Sequence, residues 1–268
     1  MFKWLITDIE IPQQPTDNSL AVPPSLHEVH CAIKSLTNGK APGADCIPPE
    51  VLKCRGMPLV HRLENLFSLI WREEAVPQEF KDASIVHLYK KKGDRTNYDN
   101  HRGISLLSVV GKVLARIMLT RLSDYVASIG ILPESQCGFR TGRSTIDMIY
   151  FSLRQLQEKC IEQHKDLYLI FIDLTKAFDT VNREGLWAML SKIGCPDKFV
   201  NIIRSFHDGM LAHVIDGGDI SAVFSVTSGT KQGCVLAPLL FSFFFSLLLD
   251  VAFKTCNTGI HLVYRTGS

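Results

Sequence analysis

The amino-acid sequence predicts an α+β fold, because several stretches with the apolar spacing of helices alternate with a few strand-like segments. The clearest strand pattern is residues 167–172, an unbroken aliphatic and aromatic run that predicts a strand buried on both faces. The clearest helix pattern is residues 109–126, where apolar residues recur every three or four positions. With 268 residues and 46% apolar composition, the chain can bury the core of one large domain or two small ones.

The N-terminal part begins with an irregular segment and continues with helices. Residues 1–24 contain four prolines among polar side chains and are expected to form an arm or linker. Ser25 has the pattern of a helix N-cap, with Glu28 three residues later as the second half of a capping box. Two further helices are predicted over residues 49–74, with a break near Gly56.

A basic hairpin follows. Residues 83–89 alternate as in a strand, and the next six residues have the composition of an exposed tip. The tip residues that are candidates for contact with a nucleic-acid backbone are Lys90, Lys91, Lys92 and Arg95. Clustered Lys and Arg are typical of phosphate binding, although a charged tip can also be merely solvated.

A second candidate anion site precedes the helix predicted over residues 145–163. Glycines and two arginines, Arg140 and Arg143, lie next to Ser144, which has the pattern of the N-cap of that helix. Backbone N–H groups at a helix start and guanidinium groups both suit phosphate oxygens. Arg143 has the alternative interpretation of a structural arginine beside the helix.

The C-terminal third is predicted to contain helices over 181–193 and 197–207, a β-hairpin around residues 216–219, and an apolar helix over 235–253. The apolar run of the last helix is shorter than the about 20 residues that a bilayer requires. Pro238 interrupts this run and Asp250 closes it. A helix buried in the protein is therefore expected, and no contact with a membrane.

Composition narrows the function classes without selecting one. A net charge of +2 and a pI near 8.1 mean that any nucleic-acid contact depends on local basic patches. The eight cysteines form no C-x-x-C pair and are interpreted as small buried groups in a reducing compartment. No secretory signal is recognised at residues 1–10, so an intracellular location, in the nucleus or the cytoplasm or both, is expected.

Four segments, in order along the chain, resemble the reverse transcriptases of LINE-type non-LTR retrotransposons. Residues 100–108 and 135–145 resemble the two finger motifs of that family. Residues 171–179, which read Phe-Ile-Asp-Leu-Thr-Lys-Ala-Phe-Asp, and 229–241, which include Gln-Gly, resemble its first two palm motifs. Four ordered motifs are a specific match, and the resemblance extends from about residue 24 to the C-terminus.

The resemblance implies the fingers and a partial palm of the right-hand polymerase fold. Residues 25–165 would form a fingers-like region with helices and a basic hairpin, and residues 166–268 would form the partial palm. The strand over 167–172 would pair antiparallel with the hairpin that precedes Gly229. RNA template, DNA primer and dNTPs would be the partners, and the oligomeric state is left open.

The resemblance also implies roles for individual residues. Asp173 would be the catalytic carboxylate and a ligand of Mg²⁺ in a two-ion site, and Phe178 would exclude a ribose 2′-hydroxyl. From the residues alone, Asp173 or Asp179 has the alternative interpretation of a turn cap, and Lys176 can pair with Asp179 or with a phosphate. The residues that would bind the dNTP are Arg102, Arg140, Leu174 through its carbonyl, Phe178, Gln232 and Gly233.

The sequence departs from the family at the third palm motif, which contains two adjacent aspartates. No two aspartates are adjacent anywhere in the sequence. We therefore carry three hypotheses: a reverse transcriptase domain fragment that is inactive alone, a non-catalytic module that binds RNA or RNA–DNA hybrid, and a different Mg²⁺-dependent phosphoryl-transfer enzyme. The last would use Asp173 and Asp179, and it ranks lowest because no nucleophile or base is evident.

Overall fold

The computed structural model describes residues 13–140, 142–174, 176–231 and 233–253. The helices are α1 (Leu26–Lys34), α2 (Pro49–Cys54), α3 (Gly56–Glu73), α4 (Gln78–Lys81), α5 (Val109–Ile129), α6 (Thr145–Glu162), α7 (Arg183–Lys192), α8 (Asp197–Ser205) and α9 (Ala237–Phe253). The strands are β1 (Ala83–Tyr89), β2 (His101–Leu106), β3 (Leu211–Asp216), β4 (Asp219–Ile220) and β5 (Phe224–Ser225). These elements confirm the α+β class.

The five strands form one mixed sheet with the order β2-β1-β3-β4, and β5 pairs with the N-terminal part of β3. β1 and β2 form an antiparallel hairpin in which Tyr89 lies opposite His101, so the basic tip is where the sequence predicted it. β3 and β4 form the second predicted hairpin, with Asp216 opposite Asp219. β1 and β3 pair in parallel, which joins the two hairpins into one sheet.

Helix α5 lies at the centre of the core. The Ser108 hydroxyl caps its N-terminus by accepting a hydrogen bond from the Gly111 N–H, and Gly130 ends it in a left-handed conformation. Its side chains Val113, Leu114 and Met118 are fully buried, and the helix contacts α1 and α4. Burying such side chains contributes about 1.5–3 kcal/mol each, so α5 is a main source of stability.

The described part of the N-terminal segment packs against α3 and the end of α7. The Asp17 N–H donates to the Gly194 carbonyl at 2.9 Å, and the Trp71 indole donates to the Ala21 carbonyl at 2.9 Å. Leu20 is buried. Residues 13–24 therefore lie along α3 and the end of α7, and the division of the chain at residues 24 and 165 stays a prediction.

The prediction of a buried strand over residues 167–172 is wrong. This segment belongs to no strand, and Ile170 and Phe171 are 86% and 80% exposed. A strand is stabilised by hydrogen bonds to a neighbouring strand, and among the described residues none pairs with this segment. The expected antiparallel pairing with the second hairpin is also wrong, because β3 pairs with β1 instead.

Helix α9 is buried as predicted, with Leu240 and Phe243 almost completely inaccessible. Within the described ranges, no helix combines the length and the apolar character that crossing a membrane requires. The helix therefore belongs to the protein core, where it contacts α7.

The cysteines of the described ranges fall into two groups, and Cys256 lies outside those ranges. Cys137, Cys160, Cys195 and Cys234 are buried, and for Cys195 burial raises the pKa of the thiol to about 12, so it stays protonated. The prediction of buried cysteines is wrong for Cys31, Cys46 and Cys54, which are exposed. These three lie on helices or loops at the surface, where sequence gives no apolar pattern to distinguish them.

Candidate active site

The loop of residues 226–231, here called the anchored loop, lies against the turn that follows the acidic motif. The Gly229 N–H donates to the Val181 carbonyl at 3.1 Å, and the Thr230 N–H donates to the Phe178 carbonyl at 2.8 Å. Gly229 has φ of +76°, and a Cβ at this position would lie 2.6 Å from the Asp179 Cα. Only glycine permits this approach, because a side chain there would meet backbone atoms.

Arg183, the first residue of α7, fixes the anchored loop through four hydrogen bonds to carbonyl groups. Its Nε donates to Gly229 at 2.9 Å, its Nη1 donates to His207 at 2.9 Å and to Val226 at 3.0 Å, and its Nη2 donates to Ser228 at 3.2 Å. Burial lowers the pKa of Arg183 somewhat, but an arginine stays charged. One planar cation therefore satisfies three carbonyls of the anchored loop and one carbonyl of the turn after α8.

Gly233 brings the second palm motif against the first finger motif. It has φ of +120°, and a Cβ there would lie 2.5 Å from the Ser105 carbonyl oxygen of β2. The neighbour of this glycine is thus the backbone of Ser105, and its role in nucleotide binding stays a prediction. Its predicted partner in nucleotide binding, Gln232, lies outside the described residues.

An aromatic row brings the second finger motif to the same place. The ring of Phe178 lies 6.1 Å from that of Phe139 in an edge-on arrangement and 4.7 Å from that of Phe241 in α9. The Ser242 hydroxyl also donates to the Gly138 carbonyl at 3.4 Å. Phe178 is half-buried in this row, and the stacking of aromatic rings adds specific geometry to their apolar burial.

A cavity of about 290 Å³ lies between the sheet and the anchored loop. Its walls include Ile85, Gly103, Asp179, Arg183 and Lys231. Burial raises the pKa of the Asp179 carboxyl, and the nearby Lys176 opposes this change. The cavity thus has one acidic and two basic side chains in a mainly apolar wall.

Lys231 is a buried cation that the sequence interpretation missed. It is 4% exposed, and its Nζ donates to the Lys81 carbonyl at 2.6 Å. Burial lowers the pKa of this amine to about 8, because the charged form loses its hydration. The only feature of the sequence that points to Lys231 is its position directly before Gln232. No local pattern points to Arg183, because its hydrogen-bond partners lie 24 to 46 residues away.

Asp173 and Leu174 lie in the exposed segment that follows α6, outside the contacts that join the other motifs. Among the described ranges, no three His, Cys, Asp or Glu side chains are close enough to hold a metal ion together. The described residues therefore do not fit the two-ion magnesium site that the family implies. Asp173 supplies a single accessible carboxylate.

The finger arginines lie beside an acidic residue. Arg140 Nη1 donates to the Pro133 carbonyl at 3.0 Å, and its Nη2 lies 3.5 Å from the Glu134 carboxylate. Arg143 forms an ion pair with the same carboxylate. The Arg140 side chain is 25% exposed, so part of its guanidinium faces solvent while the rest is held against its own loop.

The basic tip, residues 90–95, projects from the end of the β1–β2 hairpin. All of its candidate residues are exposed, as is Arg102 on β2. Lys90 Nζ donates to the Asp99 carbonyl at 2.8 Å, and Lys176 Nζ lies 4.0 Å from the Asp99 carboxylate. Lys176 forms its ion pair with Asp99 and also interacts electrostatically with Asp179, while its pairing with a phosphate stays a prediction.

Comparison with known proteins decides the family. Residues 89–264 match the profile of the family described as "Reverse transcriptase (RNA-dependent DNA polymerase)". This match covers well over half of the chain and includes all four motifs quoted above. The chain belongs to the reverse transcriptase family.

Several curated relatives come from retrotransposons. A probable RNA-directed DNA polymerase from transposon BS of Drosophila melanogaster is 30% identical over 233 residues, covering 87% of this chain and 26% of the relative. The RNA-directed DNA polymerase from mobile element jockey of Drosophila funebris is 30% identical over 244 residues, which cover 90% of this chain and 26% of the relative. A putative 115 kDa protein of the type-1 element R1DM is 30% identical over 256 residues, covering 93% and 24%.

The resemblance to LINE-type non-LTR reverse transcriptases is therefore confirmed, and so is the mixed α and β architecture expected of that family. The reverse transcriptase chain described here spans about a quarter of the length of these curated relatives.

Proposed function

We propose that this chain is a reverse transcriptase domain segment of retrotransposon origin that holds an RNA template with its DNA primer and shapes part of the pocket for a dNTP. The observation that carries this proposal is that the two finger motifs and the two palm motifs lie against one another. Gly229 lies against Asp179, Gly233 lies against Ser105, and Phe178 lies against Phe139. Motifs that serve one ligand are expected to converge in this way.

The proposed nucleotide pocket uses residues that border this meeting point. The loop with Gly233 would pass under the templating base pair, Gln232 would lie near the nucleotide sugar, and Phe178 would limit the space at the sugar 2′-position. Arg140, with its partly exposed guanidinium, would bind the triphosphate, assisted by Arg102. Leu174 is exposed, and its carbonyl would serve as an oxygen ligand.

The basic tip is proposed to contact the nucleic-acid backbone. Lys90, Lys91, Lys92 and Arg95 are all exposed on one short turn, and phosphate contacts by such residues depend strongly on salt. These contacts would be independent of base sequence. They would position the template without selecting it.

Magnesium is the cofactor proposed for DNA synthesis, with Asp173 as one of its ligands. In the family, two such ions would neutralise the charge of the reacting triphosphate. Because the described residues assemble no cluster of three acids, we derive no chemical step for this chain. We propose that the chain alone does not extend a primer.

The test measures binding and extension on the same RNA template with a DNA primer. Fluorescence anisotropy from 50 to 300 mM salt should give tight, salt-dependent binding, with a slope of log K against log salt reduced by about 1.4 in Lys91→Gln/Lys92→Gln. The matched control is Lys34→Gln, which removes one exposed charge on α1 and should leave the slope unchanged. Equal slopes in all three proteins would contradict the role of the tip.

Primer extension with Mg²⁺ and dNTPs distinguishes a catalytically active chain from one that only binds nucleic acid. The absence of an acid cluster in the described residues favours a non-catalytic RNA-binding or hybrid-binding module as the second candidate function. Binding without extension, in wild type and in Asp173→Ala alike, is the expected result. Extension that Asp173→Ala abolishes would show that the remaining carboxylates are supplied, and the inactivity proposed here would be wrong.

A further inference from the structure

Two histidines at the base of the basic tip are hydrogen-bonded to each other. His87 of β1 and His101 of β2 face the same side of the hairpin, and their Nδ1 atoms lie 2.9 Å apart. On the other side of His87, its Nε2 lies 2.9 Å from a carboxylate oxygen of Asp216 at the end of β3. On the other side of His101, its Nε2 lies 2.8 Å from the Arg95 carbonyl in the tip. A single row of contacts therefore joins β3, β1, β2 and the tip.

Counting protons along this row fixes its charge. The Arg95 carbonyl can only accept, so His101 Nε2 must carry a proton. The hydrogen bond from His87 lowers the pKa of the Asp216 carboxyl, so this group is ionised and also only accepts. His87 Nε2 must then carry a proton as well. The contact between the two Nδ1 atoms needs a third proton.

Two neutral imidazoles carry one N–H each, which gives two protons for three hydrogen bonds. The row is complete only when the pair holds one further proton, and therefore one positive charge, whichever ring carries it. We propose that His87 and His101 share this proton as a pH-sensitive latch that orients the basic tip for contact with RNA phosphates. This inference rests on the proposed function, because the consequence for RNA depends on the tip binding it.

The other groups around the pair do not supply the missing proton. The Tyr89 ring lies 5.4 Å from that of His101, but its hydroxyl donates to the Gly93 carbonyl. Asp219 of β4 lies opposite Asp216 in the register and is a second acid at that end of the sheet. Arg102 is on the opposite face of β2, since neighbouring residues of a strand alternate. The latch therefore consists of the positively charged histidine pair with the carboxylates of Asp216 and Asp219 at its β3–β4 end.

Loss of the shared proton leaves one of the three contacts without a hydrogen. If the contact to the Arg95 carbonyl opens, the Arg95 side of the tip loses a link to β2, although the Asn100–Asp94 and Tyr89–Gly93 hydrogen bonds remain. If the contact to Asp216 opens, the hairpin loses one side-chain link to β3 and keeps its backbone pairing. Histidine is the side chain that ordinarily gains or loses a proton between pH 5 and 8. Because the closed row needs the third proton, gain of a proton closes the latch and loss of a proton opens it.

The first experiment observes the protons directly. Nitrogen-15 NMR of the histidine rings from pH 5.5 to 8.5 should show one charge distributed over His87 and His101, and the titration of either ring should change when the other is replaced by Gln. Asp216→Asn keeps the exposed surface and the shape of the acceptor but removes its charge, so it should shift the shared titration to lower pH. Two rings that titrate independently, unaffected by Asp216→Asn, would overturn the proposal.

The second experiment measures RNA affinity across the same pH range at fixed salt. Wild type is expected to lose about threefold to fivefold in affinity from pH 6 to pH 8, the size of effect expected from one partly exposed charge. His87→Gln/His101→Gln should bind with little pH dependence, and His61→Gln, an exposed histidine on α3, should behave as wild type. A pH dependence that persists in the double variant would overturn the latch. Absence of RNA binding at every pH would instead contradict the proposed function, while the NMR result still decides whether the proton is shared.

Discussion

Two regions that carry the palm motifs differ sharply in how they are held. The anchored loop, residues 226–231, is bound by backbone hydrogen bonds to Phe178 and Val181 and by the four contacts of Arg183. The segment 167–174, which carries Asp173, has exposed apolar side chains and no strand beside it among the described residues. Within the part of the chain described, the framework beneath the proposed nucleotide pocket is held by hydrogen bonds, while the acid-bearing segment pairs with no strand. Motifs of one site therefore need not be stabilised together.

The largest expected effect comes from removing the cation of the anchored loop. Arg183→Ala should lower the free energy of unfolding by about 3 kcal/mol, because carbonyl groups of His207, Val226, Ser228 and Gly229 lose a charged donor. Urea denaturation measures the change. Arg154→Ala, which removes an exposed ion pair with Glu158 in α6, is the control and should cost less than about 0.5 kcal/mol. Equal costs would mean that Arg183 does not anchor the loop.

The next effect tests the close approach at Gly229. Gly229→Ala should destabilise by about 2 to 3 kcal/mol, since it adds a clash with the Asp179 backbone to the cost of a positive φ. The control is Gly209→Ala, because Gly209 also has a positive φ, +68°, but a Cβ there meets nothing within 4 Å. That variant should cost only about 1 kcal/mol. If the two variants lose the same free energy of unfolding, the close contact between Gly229 and Asp179 does not contribute to the cost.

A smaller effect concerns the buried amine of Lys231. Its pKa of about 8 in the folded state is below that of an unfolded lysine, about 10.4, so the unfolded state binds more protons between these values. The stability of wild type should therefore rise with pH relative to Lys231→Met, by ~2 kcal/mol from pH 7.5 to 9.5. Urea denaturation of both proteins at the two pH values isolates the contribution of the Lys231 amine to the free energy of unfolding. A difference that is constant with pH would show that the amine is solvated.

The smallest effect is expected in the acid-bearing segment. Ile170→Ala should change the free energy of unfolding by less than about 0.5 kcal/mol, because the side chain is 86% exposed. Ile202→Ala in α8 makes the same chemical change at a fully buried position and should cost about 3 kcal/mol. Comparable costs at the two sites would mean that residue 170 is buried in solution.

How far the sequence predicts this molecule depends on how local each signal is. The strand at 83–89 and its basic tip were predicted with their observed bounds, because alternation and turn composition are properties of neighbouring residues. The run at 167–172 has an equally strong local pattern, but a strand exists only beside another strand, and that condition is not local.

The candidate site divides in the same way. The Gly229 and Gly233 positions were recognisable from their motif, and the structure adds the backbone atoms that make glycine necessary. Arg183 and the His87–His101 pair were not recognisable, because their partners come from other strands and loops. Hydrogen-bond partners of this kind are a property of the fold.

Hydrogen–deuterium exchange, read at the level of single amides, tests the contrast between the two regions most directly. The amides of Gly229 and Thr230 donate to carbonyls across the loop and should exchange slowly, close to the rate set by global unfolding. The amides of residues 168–172 have no acceptor among the described residues and should exchange at the rate of an unstructured peptide. Strong protection over 168–172, equal to that of Gly229 and Thr230, would contradict the account.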